Sequence, residues 1–425
     1  MNAAIRDRYG FLIDSSVGYA RGQILRSPLE EVQRRLHAMQ LIRERSEAHG
    51  PESFYNITGL HRDFHLPADK LNYGEEWVGP AYYWKELEEM ARVHFGGRSE
   101  HEVVVLNRCS AGIIASCLAI IKPDSKAISL VPSKRSHPSI GRGMRLAGAE
   151  QIQVNSSEEV SQVIGTGEVS FMMITGVSSE LEVIDKKIML DAIALAQKAG
   201  VPVMLDDAYG TRLRPIIYDQ PMTMQTGVNL AVTACDKAGM NGPRAGLMVG
   251  EKQYMDLVNT KAAELGLEAR SPLAAAVWSS LKDFTPRELI NEVEFGALIY
   301  ECLAKKYGPA KVVKSGIGAS FTAENIYELV KEIRGDGVEL PVCPGEITAA
   351  IGMYWLKQYG IISVSALGQP GASIWLRFKP EPKVVSRMGG LEALVEAIDD
   401  GIQHVAGHAH SIETMKALIL GSRAV

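Results

Sequence analysis

The sequence predicts an α/β protein, with one large domain on a mostly parallel seven-stranded sheet and a small α+β domain on its C-terminal side. Three observations predict it. From residue 101 onward, short β-branched apolar runs alternate with helical segments, the pattern of βαβ units. The last connection in this series, residues 235–245, is too short for a crossover helix, so its final strand should run antiparallel. The composition, 46% hydrophobic and 22% charged over 425 residues, is that of a globular chain long enough for two or three domains.

In chain order, residues 1–100 read as a helical and loop segment. Ser27 ahead of Pro28 caps an amphipathic run to about Ala48, expected to pack outside the main sheet. A stretch rich in glycine and aromatics follows, with Gly59, Gly74, Gly79, Pro80 and the rings of Tyr73, Trp77, Tyr82, Tyr83 and Trp84, and it reads as a functional loop. The large domain, 101–255, carries candidate strands at 102–107, 126–131, 151–155, 169–175, 201–206, 230–235 and 245–250. A helical bridge, 256–310, leads to the small domain, 311–410. There the expected strands are 311–314, 318–322, 362–366 and 373–378, and the expected helices 324–334, 346–359 and 391–405.

Charge and cysteine usage exclude several function classes. The 45 Lys+Arg against 50 Asp+Glu leave a formal charge of −5, so no global basic field draws the chain to nucleic acid or an anionic membrane. Only local clusters, Lys134-Arg135 and Arg142 to Arg145, keep tRNA open as a partner. The five cysteines lie far apart with no CxxC pair, against both a disulfide framework and a cysteine zinc site, and a reducing cytoplasm is expected. Residues Arg6, Asp7 and Arg8 do not read as a secretion leader, and the apolar stretch 110–121 is too short to span a bilayer. His404, His408 and His410 read as a solvated helix end, and no metal site is expected.

The most informative segment is the apolar run from Val201 that stops abruptly at Asp206 and Asp207. Ligands of open α/β sheets bind beyond the carboxyl ends of strands, which places these acids at a site crevice. Alone, the pair is equally a helix cap or turn, or a magnesium site. The next strand tips the balance, because it ends in Asp236-Lys237 within a glycine-rich loop. A strand-end lysine beside a strand-end carboxylate is what pyridoxal phosphate (PLP) requires: an amine to form the Schiff base and an acid to keep the pyridine nitrogen protonated. Small and hydroxyl residues within 106–116, where the first strand meets a helix, offer a candidate phosphate cradle. Neither GxGxxG nor GxxxxGK[ST] stands at that junction.

These residues, in this order, resemble fold-type-I PLP enzymes, and the loop from Asp236-Lys237 to Gly250 is similar to the selenocysteine synthase (L-seryl-tRNA selenium transferase) branch. Asn107-Arg108, Ser136-His137-Pro138, Thr175-Gly176, Asp206-Asp207-Ala208, Gly242-Pro243-Arg244, Gly266 to Ala269 and Pro370 to Ser373 resemble, more closely still, an archaeal PLP family related to that synthase. The resemblance spans roughly residues 28 to 400. It implies that Lys237 carries PLP, that Asp206 faces the pyridinium, and that Ser110, Ala111 and Gly112 hold the phosphate. It implies Tyr209 near the ring 3-hydroxyl and His137 over the ring face, although His137 equally reads as a turn residue capping the helix begun at Pro138.

Arg377, charged within the apolar run 373–378, reads either as an outward, solvated strand residue or as the fork that binds a substrate α-carboxylate. Ser178 is a further candidate for substrate contact, and Arg244 and Arg212 are weaker candidates for substrate or phosphate contacts. The resemblance implies a PLP-dependent transferase or lyase that deprotonates Cα through Lys237 and eliminates or replaces the β-substituent of a serine- or cysteine-like amino acid. Two alternatives stand: a transferase acting on aminoacyl-tRNA, disfavoured because no separate tRNA-binding module precedes the core, and a PLP-binding regulatory protein without turnover. At least a homodimer is expected, with the aromatic stretch 72–84 either contributing across the interface or packing on its own subunit as a lid.

Overall fold

Residues Leu60–Asn291 form one unit and the remaining segments, Met1–Gly59 with Glu292–Val425, a second. The computed structural model describes residues 5–132, 135–335 and 337–421. The first unit holds the expected sheet, in strands β1 (His101–Leu106), β2 (Lys126–Leu130), β3 (Glu150–Val154), β4 (Val169–Thr175), β5 (Val203–Asp206), β6 (Leu230–Ala234) and β7 (Gly246–Glu251). Their order across the sheet is β1-β7-β6-β5-β4-β2-β3. From β6 to β3 all pairs are parallel, whereas β7 is antiparallel to both β6 and β1, as the short 235–245 connection predicts.

The central strands are apolar on both faces because helices cover both. Side chains alternate across a strand, so Val203 and Leu205 join one core and Met204 the other. Helices Cys109–Ile120, Pro138–Leu146 and Lys252–Glu264 supply the layer over Met204. Gly79–Phe95, Lys186–Lys198 and Ser271–Asp283 supply the layer over Val203 and Leu205.

One expectation fails here for a local reason. The aromatic stretch 72–84 is not an open loop: a 3-10 segment, Ala68–Gly74, leads into helix Gly79–Phe95. Pro80 fits the first turn, where its missing N–H costs nothing. Tyr83, Leu87, Ala91 and Phe95, spaced by four, are buried and pin the helix to the sheet. Trp77 and Tyr82 remain exposed.

In the second unit, Ser27 caps helix Pro28–His49 by accepting from Leu29 N, as expected. An antiparallel sheet of Val313–Ser315, Gly318–Phe321 and Leu376–Phe378 packs with helices Ala323–Arg334, Pro344–Tyr359 and Leu391–His408 around Phe321, Trp355 and Phe378. The run 362–366 is not a strand of that sheet. Ile361–Ile362 pairs in parallel with Tyr55–Asn56, and pairing stops there because the Ser363 hydroxyl accepts from Ala366 N and caps the short helix Val364–Leu367. In the run 373–378, only Leu376–Phe378 is strand. Among the described residues, no helix is long and apolar enough to cross a membrane.

Candidate functional site

β5 ends in two buried carboxylates with different partners. Asp207 is fully buried and bound in bidentate fashion by Arg214, with Nε 2.9 Å from Oδ1 and Nη2 on Oδ2. Thr223 Oγ1 adds a bond of 2.7 Å to Oδ2. That carboxylate is committed to holding the start of helix Gly210–Ile217 in place. Asp206 is 5% exposed, yet its Oδ1 has no hydrogen-bond partner. Burial pushes its pKa from 3.8 up to about 6, with Lys237 opposing the rise and Asp207 adding to it.

The hydroxyl of Thr175, the residue paired with Asp206 across β4 and β5, is likewise buried without a partner. Both follow, two residues on, core residues Met173 and Met204, so they share the sheet face that carries helix Cys109–Ile120. Two unsatisfied polar atoms side by side at the carboxyl edge of a parallel sheet mark a ligand position. Arg214 occupies both oxygens of Asp207, which leaves Asp206 as the carboxylate of the pair with an oxygen free for a ligand.

Lys237 lies in the turn after β6, its Nζ 4.8 Å from the centre of the Tyr209 ring. Tyr209 is buried, three residues beyond Asp206. Asp236, also buried, accepts from Arg62 Nε at 2.8 Å and Nη2 at 2.7 Å. His61 N donates to Asp236 O at 3.0 Å, and Asp63 N to Asn241 Oδ1 at 2.6 Å, so residues 61–63 strap the turn from outside. Nothing in the sequence links Arg62 to Asp236, since their contact depends on the path of the chain between units of secondary structure.

Helix Cys109–Ile120 begins beside this turn. The residue before it, Arg108, provides no side-chain cap, and its carbonyl accepts from Ala111 N at 3.0 Å and Gly112 N at 3.3 Å, which leaves the amides of Cys109 and Ser110 and the positive end of the helix for an anion. Ser110, Ala111 and Gly112 form that first turn, as expected from their size. A Cβ on Gly112 would stand 2.6 Å from Met248 Sδ. On Gly246 it would stand 2.7 Å from the backbone of Arg108 and Cys109, so β7 can support the cradle only with glycine there. Burial pushes the Cys109 thiol up to about 12, with Lys237, Asp206 and Asp236 within electrostatic reach. The uncapped helix end, the lysine and the aspartate therefore converge.

His137 caps helix Pro138–Leu146: its Nδ1 accepts from Ser139 N at 3.2 Å and lies 2.6 Å from Ser139 Oγ. The capping reading is the observed one, and it fixes the neutral tautomer with the proton on Nε2. Burial, with Lys237, Arg135, Arg108 and Arg142 nearby, lowers the pKa of His137 to about 3, so the ring stays neutral and lies within reach of Lys237. Of the basic pair 134–135, Lys134 lies outside the described residues and Arg135 pairs with Glu180 at 3.2 Å.

The Ser178 hydroxyl accepts from Glu180 N and Glu182 N and closes the turn after β4. Arg244 is exposed on the loop leading to β7. Arg377 sits in the three-stranded sheet of the other unit, opposite Ser320. Arg212 departs from expectation: its guanidinium is buried and donates to backbone carbonyls of the lysine turn rather than opening toward a ligand. His404 and His408 stack in series on Tyr354, at 4.0 Å and 4.5 Å between successive rings.

The residues present fit PLP: an amine, a buried carboxylate with one orphaned oxygen and an uncapped helix end meet at one edge of the sheet. A family model, aminotransferase class I and II, matches residues 78–295. A "UPF0425 pyridoxal phosphate-dependent protein" of Methanothermobacter thermautotrophicus is 34% identical over 398 residues, which cover 94% of this chain and 100% of that protein. Among solved structures, N-succinyldiaminopimelate aminotransferase from Mycobacterium tuberculosis superposes with a TM-score of 0.57 at 14% identity, covering 91% of this chain and 100% of that one. A chain of the SepCysS-SepCysE N-terminal domain complex gives 0.56 at 14% identity, covering 83% and 95%. Likenesses this distant in sequence show the fold, a fold-type-I α/β architecture. The identity shared with the archaeal relative over nearly the whole chain shows more: this protein belongs to the UPF0425 family of pyridoxal phosphate-dependent proteins, within aminotransferase class I and II.

Proposed function

We propose that this protein is an enzyme that labilises the Cα–H bond of a small amino acid and eliminates or replaces its β-substituent, with a serine- or cysteine-like compound as substrate. The observation that carries this reading is the placement of Lys237 near the Asp206 carboxylate, whose Oδ1 has no hydrogen-bond partner, at adjacent strand ends. PLP, when bound, supplies an electron sink for the pair left on Cα. Lys237 offers an amine that takes the Cα proton and returns it. Asp206 offers Oδ1 to hold a proton on the ring nitrogen, which satisfies its own unpaired oxygen. Ser110, Ala111 and Gly112 cradle the phosphate, Tyr209 packs beneath the lysine, and His137 turns a neutral Nε2–H toward the site.

Arg377 takes the substrate carboxylate in its planar fork, and Ser178 and Arg244 border the substrate. The likeness to selenocysteine synthase in the Asp236-to-Gly250 loop supports chemistry at the β-carbon over amino-group transfer. A free amino acid suits the net charge of −5 better than aminoacyl-tRNA. Exposed Trp77 and Tyr82, at the start of helix Gly79–Phe95, support a homodimer or larger assembly in the cytoplasm.

The test is a panel of free amino acids added to the PLP-loaded protein, following the absorbance of the bound cofactor and the release of pyruvate and ammonia. Serine- or cysteine-like compounds should change the absorbance and release both products or accept an added thiol. Conversion of an amino acid to its own keto acid would replace this reading with transamination. No absorbance change with any amino acid would support the regulatory alternative.

A further inference from the structure

Arg212 holds the end of β6 and the turn that carries Lys237 at three points. Nη2 donates to Ala234 O at 2.6 Å and to Lys237 O at 2.9 Å, and Nε donates to Ala238 O at 3.2 Å. The guanidinium is 1% exposed. The turn it holds is strained: Ala238 has φ +51 and Gly239 φ +77, two left-handed residues in succession, the first carrying a side chain. Such backbone persists where its surroundings over-determine it. Gly239 cannot be replaced without a shift, since a Cβ there would stand 2.7 Å from Leu289 N. Met240 N adds a second bond to Lys237 O at 3.2 Å.

A further, half-buried side chain orients the guanidinium. His94, in the last turn of helix Gly79–Phe95, has Nε2 2.9 Å from Arg212 Nη1 and meets Phe284 edge-on at 5.0 Å. Burial and the Arg212 charge lower its pKa to about 3, so His94 is neutral and its Nε2 accepts.

We propose that Arg212 is the positioning residue for Lys237, fixing the plane of its peptide and so the line along which Nζ leaves the turn, and that His94 positions Arg212. A planar fork with fixed donor directions can hold one carbonyl at the end of β6 and two in the turn that follows, which a lysine ammonium cannot reproduce. The inference rests on the reading that Lys237 is the residue joined to PLP.

The test follows the joining step, in which the Lys237 amine adds to the aldehyde carbon of PLP and water leaves. PLP is added to cofactor-free wild type, Arg212→Lys, His94→Leu and His94→Gln. Samples are quenched with borohydride at timed intervals and peptide-mapped. Bound PLP is also measured, and melting temperature reports folding. Arg212→Lys and His94→Leu should bind PLP but join it to Lys237 about tenfold more slowly or worse, the scale expected when a reacting group is misplaced by a fraction of an ångström. His94→Gln, which keeps an acceptor for Arg212, should restore the rate.

Folded variants that join PLP at the wild-type rate would overturn the inference, as would equal slowing in His94→Leu and His94→Gln. If Arg212→Lys does not fold, the two His94 variants decide the question alone. Label on another lysine in the wild type would instead overturn the underlying assignment of Lys237.

Discussion

Asp206 and Asp207 are neighbours in sequence and differ in nearly everything else. Asp207 is satisfied by Arg214 and Thr223, and Asp206 Oδ1 by nothing in the protein. An acid whose pKa rises on folding opposes folding once it ionises. For Asp206 the penalty is absent below about pH 4, grows up to about pH 6 and is constant above, reaching on the order of 3 kcal/mol. Cofactor-free Asp206→Asn should therefore melt higher than cofactor-free wild type at pH 7 and equally at pH 4. With PLP bound, the same variant should exchange the substrate Cα proton more slowly, because a neutral pyridine is a poor electron sink. A lower melting temperature at pH 7, or exchange at the native rate, contradicts the assigned role.

Arg377→Ala should weaken amino-acid binding by about tenfold or more, from losing a charge-assisted pair of about 1.5–3 kcal/mol, and leave PLP affinity little changed. Equilibrium titrations of both ligands separate the two. The sequence makes both aspartates legible as strand-end acids, but not their division of labour, because Arg212 and Arg214 read alike until the helix after β5 turns one toward Asp207 and the other toward the lysine turn.

At the scale of elements, the cradle depends on close contact between β7 and the backbone ahead of helix Cys109–Ile120. Gly246→Ala would place a methyl carbon where Arg108 and Cys109 already stand, and these backbone atoms cannot give way as a flexible side chain would. The variant should lose PLP affinity by about tenfold or more as the phosphate donors shift, while borohydride at saturating PLP still labels Lys237. Unchanged PLP affinity would place the phosphate elsewhere.

Most of the seven strands are legible because each is a largely apolar run bounded by a turn, whereas the edge strand β3, Glu150-Gln-Ile-Gln-Val154, alternates; the antiparallel β7 is legible because its connection is too short to cross over. Helix Gly79–Phe95 is obscured by its own glycine and aromatics, although Tyr83, Leu87, Ala91 and Phe95 carry the helical period. The run at 362 misleads because two β-branched residues precede a capping Ser363, and the cap outranks propensity.

For the whole molecule, exposed Trp77 and Tyr82 are costly on a monomer surface and fit the centre of an interface between copies. Light scattering of the PLP-loaded protein should give at least twice the monomer mass, and Trp77→Glu should lower it; a cofactor-loaded monomer contradicts the assembly. Every role assigned to these residues turns on one covalent bond. Borohydride reduction of the PLP-loaded protein, followed by peptide mapping, should place the label on Lys237 alone, on the peptide that follows β6. Label on any other lysine, or none on protein shown to hold PLP, would contradict the assignment from which every other role here follows.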